Sequence, residues 1–231
     1  MAPRTRPPSS PLYDPAFEHD ACGIGFVADA GGRNLDRVLP LALAGLGALG
    51  HRGAFGADGE SSDGAGVALP LEGSLLDELA PGQVAGRPGI VAVFLPRSRS
   101  RAARSRTLVA DALASEGLAI GAWRRVPMDP AALGSAAAAS RPDVAHAIVQ
   151  RPLVADGRPI SDSVFERRLV LARRRLEAAA REARFDDLSI PSASCRTIVY
   201  KGLVAGGRLA DLFPDLARPI RLSYALFHQR Y

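Results

Sequence analysis

EHDACGIGF, residues 18–26, is the stretch on which the fold turns. A polar leader ends at Cys22, and a glycine-punctuated apolar run begins. CGIGFVAD (22–29) has the apolar and β-branched character of a short buried strand, and GGR at 31–33 supplies a turn after it. As a lone residue Cys22 reads as a structural thiol, because free cysteine is commonly buried. Cleavage between Ala21 and Cys22 gives a second reading. The α-amine of a newly terminal cysteine, with an ordinary pKa of about 7.7 to 8.0, can take the thiol proton and create a nucleophilic thiolate. Gly23 and Gly25 are open in the same way: they let main chain pass close to a small substrate, or they mark a bulged or tightly packed strand.

The 231 residues are enough for one sizeable domain or two small ones, and 47% are hydrophobic, so a real core is feasible. The longest weakly polar run, VLPLALAGLGALG at 38–50, is too short for a bilayer and carries a proline and glycines. No membrane partner is expected. The first 21 residues lack the apolar core of a secretory signal, which makes cytoplasmic residence the expectation. Cys22 and Cys195 are the only two cysteines, too few for a disulfide scaffold or a close-spaced metal cluster. Net charge is +5, with Lys201 the single lysine among 29 basic residues. Arginine suits phosphate contact and two-toothed carboxylate recognition alike.

The leader divides into proline- and serine-rich MAPRTRPPSSP (1–11) and a second half, LYDPAFEHDA (12–21), expected to be ordered when attached. Apolar spacing at Leu35, Val38, Leu39, Leu43 and Leu46 predicts a helix over 34–50, with Pro40 tolerable in its first turn. VALPL (67–71) and GIVAVFLP (89–96) read as strands, 100–117 as a helix, 118–126 and VAHAIVQRP (144–152) as strands. A long helix is expected over 163–184. Phe165, Leu169, Ala172 and Leu176 would line its buried side, and Ser163 and Glu166 stand at capping-box spacing. SCRTIVYKG (194–202) reads as a strand containing a packed Cys195, and RLSYALFHQRY (221–231) as a final strand. Strands alternating with helices favour an α/β or α+β enzyme-like domain.

HRGAFGADGESSDGAG (51–66) is an acidic, glycine-rich loop, yet it lacks the calcium-loop spacing and the phosphate-cradling GxxxxGK[ST]. Asp58, Asp63, Gly64 and Gly66 are therefore read as structural loop positions. His19, His146 and His228 assemble no metal site in sequence. Arginine clusters at 97–106 and 167–175 raise a nucleic-acid hypothesis, but no aromatic interleaving or known module accompanies them, and a solvated surface or a contact within a larger enzyme is the preferred reading.

LYDPAFEHDACGIGFVAD, HRGAFGADGESSDGAG, TIVYKG, DLFPDL and ALFHQRY stand in the order found in the amino-terminal glutaminase (type 2 glutamine amidotransferase) domain of the glutamate synthase large subunit, which the chain resembles over 12–231. The resemblance implies an α+β, four-layer α-β-β-α amino-terminal-nucleophile hydrolase fold. It implies a leader or propeptide at 1–21, a partial amidotransferase domain at 22–231, and hydrolysis of glutamine to glutamate and ammonia by Cys22. Arg52, in HRGA, then resembles the arginine that helps hold the nucleophile region, and Arg230, in HQRY, the one that clamps glutamine's α-carboxylate. A planar guanidinium does this through two aligned hydrogen bonds. Tyr231 takes a usually aromatic position and is given a pocket-wall role. The Ser61-Ser62 pair departs from the more usual threonine-glycine and alters loop freedom.

The family continues beyond HQR with an asparagine-glycine oxyanion pair and an acidic residue for the substrate's amino group. The expectation is therefore a fold incomplete at its C-terminus, with little activity of its own. In the intact family, ammonia reaches a synthase region where 2-oxoglutarate is reductively aminated. FMN and an iron-sulfur cluster serve that region, fed by a small NADPH-dependent subunit or by ferredoxin. No cofactor is expected within 1–231. The competing readings are an inactive structural or regulatory fragment and the amidotransferase domain of another glutamine-dependent enzyme.

Overall fold

The computed structural model describes residues 23–82 and 86–230. Cys22, Tyr231 and the leader lie outside them. In chain order the elements are β1 (Gly23–Ala28), α1 (Leu35–Ala48), β2 (Ala65–Pro70), α2 (Gly73–Leu79), β3 (Gly89–Leu95), α3 (Arg99–Ala114), β4 (Ala119–Arg125), α4 (Ser135–Ser140), β5 (Asp143–Gln150), α5 (Asp162–Glu182), β6 (Ser189–Ser194), β7 (Thr197–Gly202), α6 (Leu209–Leu212) and β8 (Tyr224–Gln229). The strands form two four-stranded sheets, ordered β1-β8-β2-β7 and β4-β5-β3-β6. Every pairing is antiparallel. The fold is mixed α/β, with helices flanking both sheets.

Side-chain alternation explains where the cores lie. In the second sheet Val91, Val93, Leu95, Ala145, Ala147 and Val149 face one way, against α3 and α5. Ile90, Val144 and Ile148 face the other way and join Val67, Leu69, Ile198, Tyr200 and Phe227 of the first sheet in one apolar cluster that α1 completes. The opposite face of the first sheet leaves Ile24, Phe26 and Leu226 exposed.

A buried polar cluster ties the two sheets together. Both Asp215 oxygens receive the Arg124 guanidinium, at 2.9 and 2.7 Å, and the Tyr200 hydroxyl donates to Oδ2 at 2.9 Å. The His146 ring stands edge-on to Tyr200 at 5.8 Å. Burial, and then the Arg124 charge, push the His146 imidazole down to about 3, so it is neutral here. Burial and Asp215 together push the Tyr200 phenol well above its ordinary value.

Four local expectations are corrected. Pro40 lies in the second turn of α1, where it lacks the N–H for the Asp36 carbonyl; both residues are exposed, so water can take that carbonyl. The N-cap of α5 is Ser161, whose hydroxyl accepts from the Val164 N–H at 3.4 Å, and not Ser163. Glu166 turns away from any capping box and receives the Ser194 hydroxyl at 2.6 Å and the Cys195 N–H at 2.8 Å. That anchor marks a corner between β6 and β7, so the single strand expected over 194–202 is two strands, and Cys195 sits between them. The short helix α2, burying Leu75 and Leu79, was not foreseen.

Candidate active site

Strand β8 runs between β1 and β2, and the register places Gln229 opposite both Gly23 and Ala65. Gly23 directly follows Cys22. A side chain at 23 would come within 3.0 Å of Leu49 and 3.3 Å of Arg52 Cβ and Cγ, so the Arg52 stem lies against the backbone beside the candidate nucleophile. Arg52 closes the 3-10 turn Leu49–Arg52, and its Nε donates to His51 Nε2 at 3.1 Å. At Gly25 the close approach comes from inside: an added Cβ would lie 2.5 Å from the Phe227 ring. Gly25 is thus a packing glycine, while Gly23 makes room for Arg52.

The acidic loop folds back on itself. The Asp63 N–H donates to the Ala54 carbonyl at 3.0 Å, and the Gly56 N–H to the Ser61 carbonyl at 2.7 Å. Asp58 accepts from the Ser61 N–H at 2.8 Å and the Ser61 hydroxyl at 2.5 Å, and reaches Ser135 Oγ and Ala136 N at the start of α4. The Ser61 hydroxyl, followed by the N–H groups of Ser61 and Glu60, holds the Asp58 carboxyl far below the usual carboxylate range. Asp58 is therefore a structural anchor, as the loop reading expected.

Arg230 is held to this loop by main chain and side chain. Its N–H donates to the Gly64 carbonyl at 2.8 Å, and its Nε lies 3.6 Å from Asp63 Oδ2. His228 Nδ1 donates to the Arg230 carbonyl at 2.6 Å, which fixes the proton on Nδ1. The backbone at Arg230 has φ +90°, uncommon for a residue with a side chain.

Gln229 carries the junction, and the sequence reading passed it over. Its side chain is buried, donates to Gly64 O at 3.1 Å and Ser62 Oγ at 3.3 Å, and accepts the Gly206 N–H at 2.9 Å. An added Cβ at Gly53 would fall 2.6 Å from Gln229 Nε2. Strand parity carried a signal: Ala225, Phe227 and Gln229 share the inward face, and a glutamine there needs buried partners. Ser62 likewise does more than alter loop freedom, since its hydroxyl meets Gln229, Asp63 and the Gly64 N–H.

HRGA, SSDGAG and the HQR segment (228–230) thus converge beside Gly23. A family model described as class-II glutamine amidotransferases matches residues 22–231. The chain belongs to the class-II glutamine amidotransferases. Within this family it is similar to the glutamate synthase [NADPH] large chain of Azospirillum brasilense, at 35% identity over 228 residues. It is also similar to ferredoxin-dependent glutamate synthase 2 of Synechocystis sp., at 34% over 220 residues, and to the chloroplastic ferredoxin-dependent glutamate synthase of Oryza sativa subsp. japonica, at 33% over 221. These matches take in 95%, 93% and 93% of this chain but only 14%, 14% and 13% of the relatives' own lengths.

Among the described residues no group of three or more His, Cys, Asp or Glu is placed to hold a metal. Cys195 is a poor cluster ligand or nucleophile: burial, followed by the Glu166 carboxylate, pushes its thiol up to about 12. The described residues do not offer the ligand set of an iron-sulfur cluster. No helix among the described residues is long and apolar enough to cross a membrane. Several arginines of the two clusters are engaged within the fold. Arg101 pairs with Asp187 and stacks on Phe185, Arg106 stacks on Trp123, and Arg175 pairs with Glu116.

Proposed function

We propose that this chain is the glutamine-hydrolysing part of a glutamate synthase, with Cys22 as nucleophile after removal of residues 1–21. The observation that carries the reading is the convergence around Gly23 of HRGA and SSDGAG with the HQR segment, which lies more than 160 residues further along the chain. Glutamine enters with its α-carboxylate on the Arg230 guanidinium and its side-chain amide toward Cys22; Tyr231 forms part of the pocket wall. The Cys22 sulfur adds to the amide carbon while its own α-amine takes the thiol proton. That proton passes to the leaving nitrogen, ammonia departs, and a thioester remains. Water then hydrolyses the thioester to glutamate and restores the thiol. Arg52, lying along Gly23, holds the new terminus in place.

The four-layer α-β-β-α amino-terminal-nucleophile architecture belongs to this reading, as does transfer of the ammonia to 2-oxoglutarate in a synthase region. FMN, an iron-sulfur cluster and an NADPH-dependent subunit or ferredoxin would serve that region, in the cytoplasm. Similarity to both NADPH and ferredoxin-dependent relatives fits either electron donor. The test is intact mass and terminal sequencing of active full-length protein, together with Cys22→Ala. The expected result is a chain beginning at Cys22 and loss of glutamine hydrolysis in the variant. Glutamate release by the alanine variant would overturn the mechanism.

A further inference from the structure

We infer that Asp63 is a positioning residue for Arg230, orienting its guanidinium before glutamine arrives; the inference rests on the proposal that Arg230 grips the α-carboxylate. Asp63 Oδ2 is buried and accepts no hydrogen bond, and the cation paired with it among the described residues is Arg230, whose Nε lies 3.6 Å away. A buried anionic oxygen without a hydrogen bond is costly, so its retention here calls for a charge partner.

The carboxylate is boxed in. Its Oδ1 receives the Ser62 hydroxyl at 3.3 Å, and the backbone of Gly53 stands so close that an added Cβ would be 3.2 Å from Oδ1. The residue after Asp63, Gly64, takes the Arg230 N–H on its carbonyl. Two adjacent residues of one loop therefore set both the main chain and the side chain of Arg230. The contact is made at Nε, one of the five donors of a rigid planar fork, so it narrows the positions the fork can take. A long side chain whose rotamers are already restricted loses less entropy on binding, which appears as affinity for substrate.

This role predicts a particular pattern in full-length protein. Asp63→Asn raises KM for glutamine about tenfold with a smaller change in kcat, and adds nothing when Arg230 is already alanine. Arg230→Ala leaving KM unchanged would defeat the reading of Arg230 and the positioning role with it. Arg230→Ala raising KM while Asp63→Asn does not, or Asp63→Asn raising KM equally in both backgrounds, would defeat the positioning role alone. If Asp63→Asn does not fold, Asp63→Glu goes through the same cycle with the same outcomes.

Discussion

Two polar constellations, built from the same residue types, do opposite work in this molecule. The Arg124–Asp215–Tyr200–His146 cluster lies between the sheets, with bonds of 2.7 to 2.9 Å that satisfy both oxygens of Asp215. At the Arg230–Asp63 junction, which lies among loops, Arg230 Nε is 3.6 Å from Asp63 Oδ2, a buried oxygen lacking a hydrogen bond. The hydrogen bonds that join Arg124, Asp215 and Tyr200 hold the two sheets in one arrangement, with His146 packed edge-on beside them and its Nδ1 unbonded. The Arg230–Asp63 contact is longer than those of Arg124 with Asp215, and both of its side chains are more exposed. Short paired bonds accompany the structural cluster, and the longer contact accompanies the candidate site.

The comparison breaks most visibly at Asp215. Asp215→Ala leaves Arg124 half-buried without its partner and is expected to cost about 3 kcal/mol of stability. Chemical denaturation would show the lowered midpoint, while KM for glutamine in the protein that remains folded stays unchanged. Arg230→Ala should show the reverse. Loss of a two-toothed charge-assisted grip raises KM about a hundredfold, yet the Arg230 and Asp63 side chains are 33% and 24% exposed, so the stability lost is smaller than at Asp215. Equal effects of the two variants on stability would erase the distinction between the regions.

A smaller effect sharpens the same contrast through pH. The folded-state pKa of His146, about 3, lies below its ordinary 6.5, so the unfolded chain binds the extra proton first. Stability is fully present above 6.5 and falls with acidification toward 3, by at most about 1.4 kcal/mol per pH unit. Asp58 and the other depressed carboxylates add a loss of the same sign, beginning lower, near their ordinary 3.8. Thermal melts between pH 6.5 and 4.5 therefore isolate the histidine, and His146→Gln should flatten that slope. An unchanged slope in the variant would show that His146 is not held neutral by the cluster.

What could be read from the sequence followed the range of the forces involved. The buried face of α5 came from periodicity, because Phe165, Leu169, Ala172 and Leu176 answer to local geometry. The cap did not, since Glu166 serves a corner 28 residues away in preference to its own helix end. The helix α2 carries only a short apolar pattern, too little to separate it from a loop. Motif order named Arg52 and Arg230 as candidate site residues, but nothing local says that Asp63 meets Arg230 or that Asp215 meets Arg124 across 91 positions. Gln229 escaped because one amide has no chemistry of its own; only strand pairing shows three motifs hanging from it.

The central claim is that the junction around Gly23 serves an amino-terminal cysteine and not the buried thiol of Cys195. A glutamine-shaped diazoketone, incubated with full-length protein and mapped by peptide mass, tests it most directly. The account predicts a single adduct on Cys22, found as the first residue of its chain, blocked by excess glutamine and lost in Arg230→Ala. An adduct on Cys195, or labelling of Cys22 that glutamine does not compete with, would contradict it.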